Sequence, residues 1–468
     1  MNKVLYIILI SLFSLTIISC SDEEESTTDT TAPVTDTTAP VTDTTAPVIA
    51  GVTAVTTPTI DSTPNCTFYS DEAGTITYGG SCSSVTTSAT IGNNTITLSS
   101  LSVGTYSDCT ISVKDSAGNA SNTLAIPPFT VAEPEQMGGS IQGGLLSLST
   151  AVTTLAGSSS GYADNATGTS ASFNNPYGIT TDGTNLYVTD TNNHRIRKIV
   201  IENGTVTTIA GQSDNGSTDG TGTSASFYKP YGITTDGTNL YVADFGNHRI
   251  RKIVIDNGTV TTLAGSSQGS TDGTGTSASF DGPYDVTTDG TNLYVAESGE
   301  HKIRKIVIDN GTVTTLAGTG SQGNEDTAPG ISARFYRPQG ITTDGTNLYV
   351  ADYSNHRIRK IVIDNGTVTT LAGSSSGSTD NATGTSASFK KPRGIATDGT
   401  NLYVADDNHR IRKIVIDNGT VTTLAGSSSG LNEATGTSAL FDRPFGITTD
   451  GKNLYVADWD NHRIRKIQ

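Results

Sequence analysis

Six near-identical copies of one segment fill the chain from residue 152 onward. Each copy contains a VTTLAG phrase, a long stretch rich in Gly, Ser and Thr, a PxGITTDGTNLYVAD phrase and an NHRIRKIVIDNG phrase, with small variations. The first phrase begins at Val152, Val206, Val260, Val313, Val368 and Val421. The repeat length is therefore 53 to 55 residues. This length is in the range of the blades of β-propellers rather than of helical solenoids.

Each copy has the residue pattern of four short strands. In the second copy, the segments rich in β-branched and aromatic residues are 233–236, 240–244, 250–255 and 260–264. Asp236-Gly237 joins the first pair and Asn257-Gly258 joins the last pair, and such dipeptides supply the positive φ angles of tight hairpins. Each copy is therefore predicted to form an up-and-down antiparallel sheet, as in a propeller blade.

The two ends of the repeat array complement each other. The array begins with an isolated VTTLAG strand at 152–157, and the last copy ends at 464–468 without such a strand. Pairing the first strand with the last copy would close the sheets into a ring and remove an exposed edge strand. We expect an all-β, six-bladed propeller over residues 151–468 in which this N-terminal strand completes the last blade.

The repeated motif carries a family resemblance. Five copies read NHRI, at 193–196, 247–250, 355–358, 408–411 and 461–464. With the YVAD and PxGI phrases before them, these segments resemble the NHL repeat over residues 152–468, which implies an NHL β-propeller. The third copy departs from the motif at Glu297, Glu300 and Lys302, and the fifth is one residue shorter before Asn408. We expect both differences to change a loop and to leave the fold intact.

Residues 1–19 have the features of a lipoprotein signal peptide. Lys3 precedes an apolar run at 4–18, which is too short for a membrane-spanning helix. The phrase that ends at Cys20 resembles the bacterial lipobox, which implies lipidation of Cys20 and anchoring in a membrane. Ser21 resembles the outer-membrane sorting pattern. An ordinary cleaved signal with a chance cysteine is the alternative.

Three segments separate the signal peptide from the repeats. Residues 20–45 are acidic and rich in Thr and Pro, and we predict a disordered tether. Residues 46–131 alternate as short strands, and their phrases at 74–82 and 104–111 resemble bacterial surface immunoglobulin-like domains, which implies a β-sandwich. Residues 132–150 are expected to be a linker.

Export permits a disulfide between two of the three cysteines that follow Cys20. The resemblance favours Cys82 with Cys109, because both lie in the family phrases. Cys66 with Cys109 is the alternative, since that pair would join two strands in the positions of the usual inter-sheet bridge.

The repeated polar residues around the NHR motif are predicted to be structural. All six histidines occupy this one position, so they are distributed around the ring and converge on a metal only if they line the axis. A repeated polar set in a strand-connecting loop is more often a hydrogen-bonded network. The predicted network includes His194, Arg195, His248, Arg249, His356, Arg357, His409, Arg410, His462 and Arg463. We expect no catalytic residue, metal or cofactor among them.

Loops that vary on a rigid scaffold are where binding function usually resides. The long connections between copies each retain one phenylalanine, which we predict to be packed between blades. The predicted ligand-binding tips are Tyr162, Asp164, Asp214, Asn215, Asp272, Glu325, Asp326, Asp380, Asn381 and Glu433. They have no recognisable spacing of calcium ligands.

The charge distribution argues against nucleic-acid binding. Residues 1–150 hold 2 Lys or Arg against 14 Asp or Glu, and the remaining residues hold 26 against 31. The chain therefore lacks the positive charge that supplies most of the non-specific affinity for nucleic acid.

Two functions are compatible with this sequence. The first is a non-enzymatic lipoprotein of the outer membrane, cell surface or periplasm whose propeller binds extracellular or periplasmic protein or glycan. The second is a secreted lactonase- or lyase-like enzyme with a divalent metal at the mouth of the channel. Resemblance to such propeller enzymes directs attention to the breaks in repeat symmetry, which are Asp285, Glu297, Glu300 and Trp459. Asp285 replaces a glycine at the start of an inner strand, from which its carboxylate could reach the channel.

Overall fold

The computed structural model describes residues 43–53, 55, 63–102, 104–131, 146 and 148–468. The predicted signal peptide, the lipidation site Cys20, most of the tether and most of the predicted linker lie outside the described residues. Within the described part of the chain, no helix has the length and apolar character needed to cross a membrane.

Three antiparallel sheets share one core in the N-terminal part. The strands are Ile49–Thr53, Asn65–Ser70, Gly74–Gly79, Ser88–Ala89, Gly92–Thr97, Gly104–Tyr106, Thr110–Lys114, Leu124–Ala125 and Phe129–Val131. The first, second and fifth form one sheet, the fourth, third, seventh and eighth form another, and the sixth pairs with the ninth. Phe68, Ile76, Ile111 and Phe129 come from all three sheets and are buried in the same hydrophobic cluster. Apolar residues alternate with polar ones along these strands, which gives each sheet one inward face.

The cysteines of this part are in two states. Cys82 and Cys109 are joined by a disulfide, with Cα atoms 5.2 Å apart. Cys66 is a buried free thiol, so it forms no bond with Cys109. Burial raises the pKa of the Cys66 thiol to about 11, so this cysteine is uncharged at neutral pH.

The repeats form six antiparallel sheets, numbered here 1 to 6 in the order of their first strands. The first strands are Pro176–Thr181, Pro230–Thr235, Pro283–Thr288, Pro338–Thr343, Pro392–Thr397 and Pro444–Thr449. The second strands are Asn185–Asp190, Asn239–Asp244, Asn292–Glu297, Asn347–Asp352, Asn401–Asp406 and Leu454–Asp458. The third strands are Arg195–Val200, Arg249–Val254, Lys302–Val307, Arg357–Val362, Arg410–Val415 and Arg463–Ile467. The fourth strands are Val206–Gly211, Thr259–Ala264, Thr312–Ala317, Val368–Ala372, Val421–Ala425 and, in sheet 6, Val152–Ala156.

Short elements occupy the connections between these strands. Sheets 2 and 3 each gain a two-residue strand, and these are Gly220–Thr221 and Gly273–Thr274. The 3-10 helices that precede the first strands are Gly168–Ser170, Gly222–Ser224, Gly275–Ser277, Gly330–Ser332, Gly384–Ser386 and Gly436–Ser438. Those that follow second strands are Thr191–Asn193, Phe245–Asn247 and Tyr353–Asn355. The phenylalanine of each connection is fully buried, as predicted, and the six are Phe173, Phe227, Phe280, Phe335, Phe389 and Phe441.

The first strand of the array completes the last sheet, as its sequence predicts. Val152–Ala156 pairs antiparallel with Arg463–Ile467, with Val152 opposite Ile467. The first strand of each sheet contacts the first strands of the sheets on either side, and those of sheets 6 and 1 also contact each other. The six first strands therefore surround a common axis.

Close approach between neighbouring first strands explains a repeated glycine. The third residue of the first strand is glycine in five sheets and Asp285 in sheet 3. A Cβ atom added at Gly178 would clash with the carbonyl oxygen of Tyr231, and one added at Gly340 would clash with that of Arg393. The spacing of the sheets at this level therefore depends on the missing side chain.

Replacing Val152–Ala156 by a Gly-Ser segment of equal length is expected to destabilise the whole ring, because sheet 6 would lose its outer strand. Thermal unfolding followed by circular dichroism should give a transition at lower temperature that is still cooperative. The control is the same replacement at residues 134–138. An unchanged transition temperature in the first variant would contradict closure of the ring by this strand.

Candidate functional site

The six sheets differ from one another mainly at one end of the ring. The turns between first and second strands, and between third and fourth strands, are nearly identical in all copies. The residue after the proline that opens each first strand varies, and so does the segment after each second strand. These variable positions share one end, because the first residue of a first strand pairs with the last residue of the second strand, as Pro176 does with Asp190. We call this end the axial face.

Aromatic rings meet at the centre of the axial face. The residues that follow the opening prolines are Tyr177, Tyr231, Tyr284, Gln339, Arg393 and Phe445. The ring centroid of Tyr177 lies 4.7 Å from that of Tyr231, 5.4 Å from that of Tyr284 and 4.8 Å from that of Phe445. Because Tyr177 belongs to sheet 1 and Tyr284 to sheet 3, these rings bring residues of non-neighbouring sheets into contact near the axis.

Three more aromatic rings surround the first set. Phe245, Tyr353 and Trp459 each directly follow a second strand. The ring of Phe245 lies 4.4 Å from that of Tyr231, and the ring of Trp459 lies 4.7 Å from that of Phe445. Phe445 is only 5% exposed, whereas Tyr231, Phe245, Tyr353 and Trp459 are half-buried. We call this set of seven aromatic residues the central cluster; its members are Tyr177, Tyr231, Tyr284, Phe445, Phe245, Tyr353 and Trp459.

A single arginine packs against the central cluster. The guanidinium of Arg393 lies 4.0 Å from the ring centroid of Phe445 and 4.9 Å from that of Tyr353. Its Nε donates a hydrogen bond to Asp407 Oδ1 at 3.0 Å, and its Nη1 donates to Gln339 Oε1 at 3.3 Å. Asp407 therefore neutralises the guanidinium, and the two rings hold its plane in place.

An axial cavity lies beneath the central cluster. Its wall consists mainly of Ile, Val and Thr side chains from the first strands, and Asp285 is the one acidic residue among the described lining residues. Oδ1 of Asp285 accepts a hydrogen bond from the Val286 amide at 2.9 Å, and Oδ2 accepts one from the Ile341 amide of the next sheet at 3.1 Å. Burial nevertheless raises the pKa of Asp285 to about 7, so this carboxyl titrates near neutral pH.

The second arginine of the NHRIR phrase is buried in every sheet. In sheet 2, Arg251 donates from Nη1 to Asp244 Oδ2 at 2.9 Å and from Nη2 to Asp219 Oδ1 at 2.7 Å. Its guanidinium also lies 5.1 Å from the ring centroid of Phe227. Burial raises the pKa of Asp244 to about 6 against the opposing effect of the Arg251 charge. The equivalent residues are Arg197, Arg304, Arg359, Arg412 and Arg465, and all are fully buried.

The sequence interpretation emphasised the first arginine of this phrase and missed the second. Arg249 donates one long hydrogen bond, of 3.4 Å, to the Ser217 carbonyl, and its Nε has no partner. The third copy held the relevant signal, because it replaces the first arginine by Lys302 and retains Arg304. Glu297 there takes the place of the usual aspartate and pairs with Arg304 at 2.8 Å.

The repeated histidines connect neighbouring sheets. Nδ1 of His194 accepts a hydrogen bond from the Lys229 amide of the next sheet at 3.1 Å. Nδ1 of His462 accepts one from the Asn175 amide at 3.1 Å and so connects sheet 6 to sheet 1. The other four, His248, His301, His356 and His409, make the same contact. These bonds give the histidines a structural role, in agreement with their repeated position.

Several of the predicted ligand-binding tips have partners within their own sheets. Asp164, Asp272, Asp326 and Asp380 each pair with a buried arginine at 2.5 to 2.7 Å. Glu433 accepts a hydrogen bond from the Thr154 amide at 2.8 Å, and Glu325 lies 3.6 Å from Arg334. Oδ1 of Asn381 accepts a hydrogen bond from the Thr383 amide at 2.9 Å. Tyr162 is 60% exposed beneath the Arg195 guanidinium, and Asp214 and Asn215 are exposed.

None of these ten residues lies in the central cluster, which the sequence interpretation did not identify. The available signal was the variation after each opening proline and after each second strand. Of the residues in those positions, only Trp459 had been singled out.

Replacing Arg251 by Met is expected to destabilise the protein by about 3–5 kcal/mol, because the buried Asp244 carboxylate would lose its charged partner. The matched control is Arg249→Met, two residues away on the same strand, for which we expect a loss of less than about 1 kcal/mol. Urea unfolding of both variants measures the difference. Equal losses would contradict the assignment of the buried network to the second arginine.

Asp285→Asn is expected to stabilise the protein more at pH 8 than at pH 5. The pKa of Asp285 is about 7 in the folded chain, above the ordinary aspartate value, so the folded state binds the proton more tightly than the unfolded state. The stability of the natural chain therefore falls as the pH rises towards 7. Thermal unfolding of both proteins from pH 5 to pH 8 tests this, with the exposed turn variant Asp309→Asn as control. A constant difference across this range would show that Asp285 does not titrate there.

Parts of the repeat region are similar to known proteins. The sequence model of the NHL repeat matches residues 173–199 and 335–361. NHL repeat-containing protein 2 of Homo sapiens is 30% identical over 322 residues, which cover 60% of this chain and 44% of that protein. Protein SUPPRESSOR OF QUENCHING 1, chloroplastic, of Arabidopsis thaliana is 29% identical over 312 residues, covering 62% of this chain and 30% of that protein. The chain thus spans less than half the length of either relative.

Solved structures extend the similarity in fold. The crystal structure of an auxiliary nutrient binding protein from Bacteroides thetaiotaomicron has a TM-score of 0.52 at 16% identity, covering 91% of this chain and 98% of that one. At this identity the likeness concerns the fold alone. Two segments of the chain thus match the NHL repeat, and its antiparallel four-stranded sheets are consistent with a propeller of such repeats.

Proposed function

We propose that this chain is a non-enzymatic binding protein whose six sheets are the blades of a closed NHL propeller, completed by Val152–Ala156. The axial face is the binding surface, and its ligand is a protein or a glycan. The repeated arginine and histidine contacts form the scaffold, and the central cluster forms the contact area for the ligand.

The restriction of sequence variation to one face carries this proposal. Phe245, Tyr353 and Trp459 stand at equivalent positions that the other three copies fill with Thr191, Ser298 and Asp407. The turns at the opposite end scarcely change between copies. Random sequence drift would be expected to alter both ends of the ring, so it does not explain variation at one end alone. Aromatic side chains are also the residues most enriched at binding surfaces.

The relatives support binding only in general terms. The printed name of the Bacteroides thetaiotaomicron structure describes an auxiliary nutrient binding protein, and this suggests that a similar fold binds ligands in that protein. The name of the human relative states no ligand.

The proposal includes export and attachment to a membrane. Cys20 would carry the lipid that anchors the protein in the outer membrane or at the cell surface. Residues 20–45 would form the tether, and residues 46–131 would be an immunoglobulin-like spacer. A disulfide between Cys82 and Cys109 supports an oxidising compartment, because such bonds persist mainly outside the cytosol.

A metal-dependent lactonase or lyase is the second candidate, since Asp285 lines the axial cavity and its pKa is about 7. The described lining residues offer that one carboxylate and no histidine, so a divalent ion would need further ligands from hydroxyl and carbonyl groups. The carboxylates of Asp43, Glu72 and Asp115, which lie within 4.8 Å of one another, are in loops of the N-terminal part and do not line this cavity.

The double variant Tyr353→Ala/Trp459→Ala is expected to lose binding while keeping the fold. The natural chain and the variant are to be tested on an array of polysaccharides and secreted proteins, and circular dichroism checks that both are folded. Lys452→Ala, on a turn at the opposite end of the ring, is the matched control and should bind normally.

Binding that survives the double variant would place the ligand elsewhere. Stoichiometric zinc or calcium in the purified chain, lost in Asp285→Asn, would favour the second candidate over the binding protein.

A further inference from the structure

Three neighbouring exposed cations lie on one side of the axial face. Arg337, Lys390 and Lys391 directly precede the first strands of sheets 4 and 5, and all three are exposed. Among the described residues, none of them has a carboxylate within 4.0 Å. We call these three residues the basic arc.

The basic arc adjoins the aromatic cluster. Nζ of Lys391 lies 5.4 Å from the ring centroid of Tyr353, and the Arg393 guanidinium lies on the same ring at 4.9 Å. Because Asp407 already pairs with Arg393, this arginine positions Tyr353 and contributes little free charge. The amino group of Lys391 is the charge available to a ligand that lies on Tyr353.

Acidic side chains on the axial face come from other sheets. Asp281 and Glu300 belong to sheet 3, and Asp442 and Asp460 belong to sheet 6. Asp442 faces Nδ1 of His409 at 3.5 Å, and Asp460 pairs with Arg443 at 3.3 Å. In sheets 4 and 5 the comparable carboxylates are already paired: Asp407 with Arg393, Glu325 with Arg334, and Asp326 and Asp380 with buried arginines. The face therefore combines an aromatic centre with three exposed cations over sheets 4 and 5 and a fourth, Lys229, over sheet 2.

We propose that the axial face binds an acidic polysaccharide, with sugar rings on the central cluster and uronate carboxylates on the basic arc. The C–H face of a pyranose is apolar and slightly positive, which suits the half-buried faces of Tyr353 and Trp459. The amino group of Lys391, beside the Tyr353 ring, is the cation that a carboxylate on the next sugar would contact, whereas Arg393 stays paired with Asp407. This inference rests on the proposed function and specifies its ligand class.

A single-stranded nucleic acid would also present flat rings and negative charge, but the electrostatics favour the polysaccharide. Nucleic-acid affinity grows with the number of phosphates neutralised, and the basic arc offers three cations. Residues 151–468 hold 26 Lys or Arg against 31 Asp or Glu, so the ring as a whole repels a dense polyanion. A polysaccharide in which neutral sugars alternate with uronates carries one charge for every two rings. A nucleic acid carries one charge for every base.

The chain contains a single tryptophan, Trp459, and this residue lies in the proposed site. Its fluorescence therefore reports directly on occupancy. The full chain is to be titrated with hyaluronan oligosaccharides, in which uronate and neutral sugars alternate, with the neutral β-glucan laminarin and with poly(U), and isothermal calorimetry supplies the affinities.

We expect the hyaluronan oligosaccharides alone to change the Trp459 emission, and to bind more weakly as salt is raised. Lys390→Ala/Lys391→Ala should weaken this binding about tenfold, because two exposed charge contacts are lost. Tyr353→Ala should weaken it as well, and Lys452→Ala at the opposite end of the ring should leave it unchanged.

Three results would overturn the inference. Equal binding of laminarin would assign a neutral glycan and leave the proposed function standing. Tighter, salt-dependent binding of poly(U) would assign a nucleic acid. No binding of any probe would reject all of these ligands, and the array of secreted proteins described above would then decide separately whether the axial face binds anything.

Discussion

A buried arginine in each sheet organises the rest of the repeat. Arg251 joins the end of the second strand, through Asp244, to the long connection that leads into the sheet, through Asp219. A charge in this position must keep its partners, because an unpaired buried carboxylate is costly. The segments that carry the axial face therefore begin from fixed points in every sheet. Variation in their side chains leaves those points unchanged, which makes the face suited to acquire a binding surface without loss of the fold.

The spacing of the sheets depends on a second constraint, at the axis. Neighbouring first strands approach so closely that five sheets require glycine at the third position. Asp285 is the exception, and its carboxylate is held by the backbone of its own and the next sheet. The raised pKa of this group is most simply a consequence of burial within a closely packed ring. We therefore interpret Asp285 as a tolerated departure at the axis, and we place ligand contact at the opening above it.

The axial face combines two kinds of surface that the individual repeats do not share. Sheets 6, 1, 2 and 3 contribute most of the aromatic rings, whereas sheets 4 and 5 contribute Tyr353, Arg393 and the basic arc. This asymmetry distinguishes one side of a nearly symmetric ring. A scaffold of near-identical units thus acquires a specific surface through a small number of substitutions at equivalent positions.

Local pattern and periodicity account for the features that were predictable from the sequence. The four-strand unit follows from the hairpin dipeptides, and the pairing of Val152–Ala156 with the last copy follows from the one missing strand. The structural role of the histidines followed from their repeated position. The tertiary structure alone decided which repeated residues are buried, as with Arg251 rather than Arg249, because burial depends on neighbours from other strands. It also decided that Tyr177 and Tyr284, separated by two repeats, meet at the axis. Residues distant along the chain become neighbours there because the ring brings equivalent positions of all six sheets to one point. A local sequence pattern does not reveal such contacts between distant repeats.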